Sequence, residues 1–391
     1  MADVIVVGGG PAGSATALTL ARDGFDVTLV ERARFPRRKV CGEYLNAGAM
    51  SALDRLGVGD AVRAAGAPLR GVRIVPPGAS ALELPFSSPG GACARETLDA
   101  LLLDAAAAAG VTVVQGRVED VIVRDGRIEG VGLRGDDGGV TAMSARWVVG
   151  ADGCGSVVAR RSGLTRPSRG IPRFAVGGHY TGFDSLGEFV EMYVGAHAYF
   201  ALNPIGGGRT NVMVVVPKRD LERWSRDVDD GVAGAAAKLG RGVRSFADAQ
   251  RVGSRAAVGP LAHDVHTPIA DGLVLVGDAA GFLNPFTGQG VYLALASAAA
   301  AARAIGRAAC DRSAERRAFA DYANERASDI AARKRLSAAV GVLLDVAPLA
   351  RRAVSRLRQT PSLAAVLVDA LAGIRPPATA LAPAVLGKLV L

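Results

Sequence analysis

The arrangement at the N-terminus of the chain constrains the fold most strongly. Residues 3–7 are a β-branched run, followed at once by a turn that carries Gly8, Gly10 and Gly13. A helical pattern comes next and leads into a second apolar run that ends at Glu31. This order of strand, tight turn, helix and strand predicts a βαβ unit opening a parallel sheet, and therefore an α/β fold.

The residue types in this unit indicate a nucleotide site. Glycines at this spacing let the backbone turn tightly and approach a pyrophosphate at the N-terminus of a helix. A carboxylate at the end of the second strand, here Glu31, can accept both hydroxyls of a ribose and would repel a 2′-phosphate. The unit therefore predicts a dinucleotide site that does not select a 2′-phosphorylated adenosine.

Composition narrows the class of protein. Of the 391 residues, 50% are hydrophobic and 21% are charged, and the mean hydropathy is +0.25. Such a chain is too apolar to be disordered, yet it has no apolar run long enough to cross a bilayer. Its length favours two packed subdomains over one.

Charge and cysteine usage bear on partners and location. The 46 basic and 37 acidic residues leave a net charge of +9, but the surplus is spread out and only 5% of residues are aromatic, which argues against nucleic acid. A phosphate-bearing cofactor or an anionic membrane surface accounts for it equally well. The cysteines fit no metal-ligand spacing, and the N-terminus lacks a signal-peptide pattern, so we expect a cytoplasmic protein with free thiols and no metal. They are Cys41, Cys93, Cys154 and Cys310.

Further along, the patterns divide the chain. A helix is predicted over 96–109, an antiparallel meander over 118–149, and long strands over about 171–262 that form a separate substrate sheet. A buried strand returns at 271–278, and an Ala-rich helix runs from Gly290 to about 309. From about 325 onward, the spacing of apolar residues, arginines and prolines predicts short amphipathic helices.

Two aspartates indicate what the dinucleotide is. Asp152 and Asp278 each follow an apolar strand, where a carboxylate can meet a ribityl or ribose hydroxyl. Two such sites imply an extended dinucleotide. With these motifs in order over roughly 1–325, the chain resembles the flavoprotein family that includes class A aromatic hydroxylases and geranylgeranyl reductases.

The resemblance implies an architecture. It consists of a Rossmann-like FAD-binding domain of the GR2 type, a substrate domain built on a mainly antiparallel β-sheet, and a helical C-terminal segment. The expected boundaries are 1–75, 93–170 and 263–325 for the FAD-binding domain, 76–92 and 171–262 for the substrate domain, and 326–391 for the C-terminal segment.

The resemblance also implies a cofactor site for FAD, with NADPH or NADH as a transient electron donor. The glycine turn and helix start would bind the pyrophosphate, Arg95 would reach the phosphate or ribityl region, and the backbone of Val118 would hold adenine. Asp278 would bind the ribityl chain and pyrophosphate, and Asp152 matches a motif linked to FAD and nicotinamide binding. The expected set is Gly8, Gly10, Pro11, Ala12, Gly13, Glu31, Arg32, Arg95, Val118, Asp152, Asp278, Pro285, Gly288, Gln289 and Gly290, the last four placing a helix start at the flavin pyrimidine ring.

A candidate reactive group precedes the substrate sheet. Cys41, Gly42 and Glu43 resemble the CGE motif beside the flavin in geranylgeranyl reductases, and the alternative is a buried structural thiol. No second cysteine lies at dithiol spacing, which argues against a dithiol reductase.

The substrate sheet names no clear acid or base. Its polar candidates are His179, Tyr193, His197 and Tyr199. Residues 198–204 lack the tryptophans of the halogenase WxWxIP segment, so halogenation is a minor option. They also depart from the aromatic pattern of the reductases.

The sequence thus predicts an FAD-dependent monooxygenase that uses NAD(P)H and O2 on a lipophilic aromatic, polyketide or isoprenoid small molecule, in secondary metabolism. The alternative is a reductase of prenyl carbon–carbon double bonds, and a halogenase or a lipid-binding flavoprotein is less favoured. Arginines at 351, 352, 356 and 358 interleave with apolar residues, as in interfacial helices, and allow peripheral membrane contact through the C-terminal helices.

Overall fold

The computed structural model describes residues 2–75, 81–134, 138–168, 173–183, 186–194, 198–222, 248–282 and 287–390. The predicted site residues His197 and Pro285 lie outside these ranges. The strands are β1 (Ala2–Val7), β2 (Val27–Glu31), β3 (Tyr44–Leu45), β4 (Ala67–Val75), β5 (Leu82–Ala92), β6 (Thr112–Gln115), β7 (Arg117–Arg124), β8 (Arg127–Arg134), β9 (Val140–Gly150), β10 (Thr165–Arg166), β11 (Arg173–Thr181), β12 (Phe189–Val194), β13 (Tyr199–Gly206), β14 (Arg209–Pro217), β15 (Gln250–Val258), β16 (Asp264–Val265), β17 (Ile269–Ala270) and β18 (Leu273–Leu275).

The helices predicted after the glycine turn, over 96–109 and from Gly290 are present, whereas the helices at 47–55, 59–65 and 157–161 were not predicted. The helices of the described residues are α1 (Pro11–Arg22), α2 (Ala47–Arg55), α3 (Gly59–Ala65), α4 (Arg95–Ala108), α5 (Val157–Arg161), α6 (Gly290–Ala308), α7 (Arg312–Asp345), α8 (Ala347–Gln359), α9 (Pro361–Leu371), α10 (Pro377–Ala380) and α11 (Pro383–Val390).

The first sheet has the strand order β17-β18-β9-β1-β2-β6, and β18, β9, β1, β2 and β6 run parallel. The predicted βαβ unit is confirmed, because α1 connects β1 to the parallel strand β2. The meander β7-β8-β9 branches from this sheet at β9. The hairpin turn between β7 and β8, at Asp125 and Gly126, has positive φ angles of 49° and 77° that suit a tight hairpin.

The second sheet has the order β15-β11-β14-β13-β12-β4-β5-β3 and is antiparallel except where β12 pairs with β4. β3 and β4 thus pair with the later strands, although the predicted division places both in the FAD-binding segment 1–75. Local periodicity shows a strand but not its partner: β4 pairs with β12, more than a hundred residues away, and β3 pairs with β5 of the predicted substrate segment. The division into domains remains a prediction.

The C-terminal helices pack on the β4–β5 end of the second sheet, where Leu82 and Leu84 meet Leu336, Val340 and Val354 in one apolar cluster. The prediction of only short helices from about 325 is wrong, because α7 runs unbroken for 34 residues. Its side-chain cap, Asp311, accepts a hydrogen bond from the Ala314 N–H, and the next proline comes only after the helix has ended. Among the described residues, every helix is too short or too polar to cross a membrane.

Candidate functional site

The glycine turn after β1 leaves no room for side chains at two positions. Gly8 has a φ of +107°, and a Cβ at Gly13 would lie 1.8 Å from the Gly8 carbonyl oxygen. The turn is therefore pressed against the start of α1, whose first residue is Pro11. This brings the N-terminal N–H groups of the helix to the carboxyl edge of the sheet.

Glu31 ties this turn to the end of β2. One carboxylate oxygen accepts the Gly9 N–H at 2.6 Å and the other accepts the Ala33 N–H at 2.8 Å, while Arg32 points into solvent. Val118 lies at the start of β7, two residues after Gly116, whose N–H donates to the Glu31 carbonyl. The two residues expected at the adenosine are thus close together, and their contacts with it remain a prediction.

Two arginines and one buried aspartate lie beside the glycine turn. Arg95 forms two hydrogen bonds of 2.7 Å with Asp99, which is fully buried, and Arg37 adds a third contact of 3.1 Å to the same carboxylate. Burial alone would lower the pKa of Arg95, but Asp99 and the sulfur of Cys41 raise it above its usual value. The cluster therefore holds fixed positive charge at the turn.

Lys39 adds a cation to the same region. Its side chain is open to a cavity, yet protein surrounds it on nearly all sides, and this desolvation lowers its pKa. Arg95 lowers the pKa further by repulsion, whereas Asp278 across the cavity opposes both effects. An anionic group placed between Lys39 and Arg95 would stabilise the ammonium form of Lys39.

The space above Gly10 fits a diphosphate. A Cβ built on Gly10 would have only two described neighbours within 4 Å, the guanidinium groups of Arg37 at 3.6 Å and Arg95 at 3.9 Å. The opening thus lies at a helix N-terminus and between two guanidinium groups, an arrangement that favours a bound pyrophosphate. These residues fit the FAD that the motifs predict.

The two predicted aspartates lie in different surroundings. Asp278 lines the cavity on a turn whose Gly277 would meet the Ala12 side chain at 2.8 Å if it carried a Cβ. The carboxylate of Asp152 instead accepts the Ser156 hydroxyl at 2.5 Å and the Val157 N–H at 2.6 Å, and so caps α5. The structure brings Asp278 to the cofactor space and gives the Asp152 side chain a capping role.

The loop before α6 lies on the other side of this space. Gly288 and Gly290 line the cavity, and the buried hydroxyl of Thr287 has no hydrogen-bond partner among the described residues. Such an orphaned group suits a polar ligand. Gln289 also lines the cavity, and its side-chain amide donates to the Leu371 carbonyl at 3.0 Å and accepts from Arg333 at 3.0 Å.

Glu43 holds the CGE loop in a strained conformation. Its φ is +56°, which is unfavourable for a residue with a side chain, and only 3% of it is exposed. One carboxylate oxygen accepts the Arg95 N–H at 2.8 Å, and the other lies 2.8 Å from Nε2 of His179. His179, predicted as a substrate residue, therefore stabilises this loop through its contact with Glu43.

Cys41 is presented to the cavity by the same loop. Asn211 donates to the Cys41 carbonyl at 2.7 Å, and Asn203 donates to the Gly42 carbonyl at 3.0 Å. The Glu43 N–H lies 3.3 Å from the sulfur. With its backbone held by two amides from adjacent strands, the thiol has a defined position in the cavity wall.

The cavity continues from the cofactor space into an apolar chamber between the second sheet and the C-terminal helices. The volume of the whole cavity is about 320 Å³. Tyr199 lines it, whereas Tyr193 is stacked on Phe200 at 4.5 Å on the opposite face of the sheet and donates to Glu191. The chamber wall is aliphatic over most of its area. It includes Val72, Ile74, Leu82, Leu84, Val190, Met192, Val340, Leu343, Val354, Leu357, Leu367 and Leu389.

Three further residues of this site, besides Arg37, Lys39, Asp99, Asn203 and Asn211, were not predicted from the sequence. Tyr44 lines the cavity beside Gly288, where a Cβ would meet its ring at 2.5 Å. Arg326 of α7 donates to the Gly277 carbonyl at 2.9 Å, on the Asp278 turn, and Arg333 of the same helix holds Gln289. The two arginines are seven residues apart, which places them on one helical face, but only knowledge of α7 as a single helix makes that spacing meaningful.

The fold and site define a flavoprotein built on two eight-stranded sheets, in which a glycine turn, a basic cluster and an apolar chamber form one continuous cavity. Residues 1–335 match the family described as FAD binding domain, and the chain belongs to it. It is an FAD-dependent oxidoreductase of the group that contains class A flavoprotein monooxygenases and geranylgeranyl reductases.

Three comparisons illustrate the breadth of that family. Digeranylgeranylglycerophospholipid reductase 2 of Methanopyrus kandleri is 31% identical over 75% of this chain and 74% of its own length. A 1H-pyrrole-2-carbonyl carrier-protein brominase of Pseudoalteromonas luteoviolacea is 28% identical over 78% of this chain and 77% of its own. The solved structure of the flavin-dependent brominase Bmp2 shares the fold, with a TM-score of 0.85, 22% identity and 96% coverage of both chains.

Proposed function

We propose that this protein is an FAD-dependent monooxygenase that acts on a lipophilic aromatic small molecule, with NADPH or NADH as electron donor. Bound FAD would supply the electron transfer and oxygen activation. The residues of the chain would bind the cofactor, orient the substrate and exclude water. The observation that carries the proposal is the apolar chamber, which opens directly onto the cofactor space.

Two phenols near the cofactor end suggest how the substrate is oriented. Tyr44 packs against Gly288, and Tyr199 packs near Val40 of the CGE loop. Burial raises the pKa of both phenols, so each stays protonated and can donate a hydrogen bond. An oxygen-bearing aromatic ring held there would leave its apolar part in the chamber.

Reaction with oxygen tests the proposal. We expect photoreduced enzyme, mixed anaerobically with a lipophilic phenol and then with oxygen, to pass through a transient absorbance that matches neither reduced nor oxidised flavin. The phenol should gain one oxygen atom, measured by mass spectrometry with labelled O2. Direct return to oxidised flavin over a range of pH, with an unlabelled product, would contradict oxygen transfer.

Reduction of a carbon–carbon double bond is the second candidate, and one observation favours it. Cys41 lines the cavity next to Arg95, where a thiol could protonate a substrate carbon, and the Methanopyrus kandleri relative is named a reductase. Halogenation is less favoured because residues 198–204 lack the tryptophan pair.

A Cys41→Ala variant should separate the two reactions. If the thiol only lines the flavin pocket, the variant should shift the visible spectrum, keep oxygen transfer within about 10-fold and lose little thermal stability. If the thiol is a proton donor, anaerobic reoxidation of flavin by a prenyl substrate should fall by about 100-fold or more. Cys310→Ala, at an exposed site, is the matched control. An unchanged spectrum with a large loss of stability would make Cys41 a structural residue.

A further inference from the structure

Helix α8 is a wall between the apolar chamber and solvent. Its inner face contributes Ala353, Val354 and Leu357 to the chamber lining. Its outer face exposes Arg351 and Arg352. A single helix thus has a substrate-facing side and a basic solvent-facing side.

An exposed apolar stripe leads into this helix. Val342, near the end of α7, is 57% exposed, and Val346, between α7 and α8, is 42% exposed. The Val346 N–H donates to the Val342 carbonyl at 3.3 Å, so the two side chains are one helical turn apart. Exposed Arg335, seven residues before Val342, lies on the same face of α7. We call Arg335, Val342, Val346, Arg351 and Arg352 the α7–α8 corner.

The charge around this corner is predominantly positive. Residues 334–368 contain six basic side chains and a single acidic residue. Exposed valines gain little from a purely ionic partner, but they gain from insertion into an apolar layer. Basic residues beside exposed apolar side chains are the pattern by which a helix lies in a membrane interface.

We propose that the α7–α8 corner docks on an anionic lipid bilayer. The arginines would lie among the phosphates and the valines would enter the headgroup boundary, which would place the outer wall of the chamber against the membrane. The docking does not depend on which reaction the enzyme catalyses, and its test does not require turnover.

The test is sedimentation of the full-length FAD-loaded protein with phosphatidylcholine vesicles prepared with and without phosphatidylglycerol. We expect binding to the anionic vesicles that weakens with salt. Arg351→Glu/Arg352→Glu should weaken it at least about 30-fold. Val342→Ser/Val346→Ser should reduce the part of the binding that persists at high salt.

The matched control is Arg117→Glu/Arg124→Glu, which changes the net charge equally on the meander, beside the exposed Val123. This variant should retain nearly all of the binding. Flavin content of each variant reports folding. The proposal is overturned if the unchanged protein does not bind anionic vesicles, or if the control loses as much binding as the Arg351→Glu/Arg352→Glu variant.

Discussion

A Gly10→Ala variant should fold normally and be purified without flavin. The new methyl group would lie at least 3.6 Å from any described side chain, so the protein itself can accommodate it. It would, however, occupy the space where the pyrophosphate fits, and we expect FAD affinity to fall at least about 100-fold, or roughly 3 kcal/mol. The apoprotein should lose no more than about 1 kcal/mol, the cost of alanine at a helix N-cap.

Gly13→Ala is the companion to this experiment. Its Cβ would collide with the Gly8 carbonyl oxygen at 1.8 Å, so the turn itself must move. This variant should lose both flavin and more than about 3 kcal/mol of stability. Fluorescence titration with FAD and denaturant unfolding of the apoproteins measure the two quantities. Unaltered FAD affinity in Gly10→Ala would place the pyrophosphate elsewhere.

Replacement of Arg95 by methionine should have the second large effect. Among the described residues, Asp99 would keep only the 3.1 Å contact with Arg37 in a fully buried position, and loss of one partner of a buried ion pair costs about 3–5 kcal/mol. The Glu43 carboxylate would keep its backbone contact with residue 95. The variant should therefore unfold at lower denaturant concentration and bind FAD weakly.

A double variant, Arg95→Met/Asp99→Leu, distinguishes the structural role from the cofactor role. Removal of the aspartate takes away a buried charge that has lost its main partner, so much of the stability should return. FAD affinity should stay low, because one of the two guanidinium groups beside Gly10 is still missing. Recovery of both properties together would show that Arg95 affects the cofactor only through folding.

The first βαβ unit could be predicted from the sequence because its signals are local. Gly8, Gly13 and Glu31 lie within one short segment, and each residue type has a direct physical reason to be there. The pairing of Glu43 with His179 could not be predicted in this way, because 136 residues separate the two. Either residue alone was a plausible candidate for contact with substrate, and only the fold shows that they brace a loop.

The C-terminal part of the site could not be predicted, because hydrophobic periodicity does not show which distant segments come into contact. Prolines suggested a series of short helices, but α7 ends before the first of them. Gln289 has the expected position at the start of α6 and lines the cavity, but its side-chain amide is bonded to the C-terminal helices α7 and α9. Backbone position can follow from a motif, whereas side-chain direction depends on neighbours from distant parts of the chain.

The unbroken helix α7 fixes the spacing of three contacts along the cavity. Arg326 meets the Asp278 turn, Arg333 meets Gln289, and Val340 meets the chamber, at intervals of seven residues along one helical face. Insertion of one residue would rotate everything beyond it by about 100° and advance it by about 1.5 Å. The surrounding loops can change in length without this penalty, but the stretch between Arg326 and Val340 tolerates neither insertion nor deletion while it serves all three places.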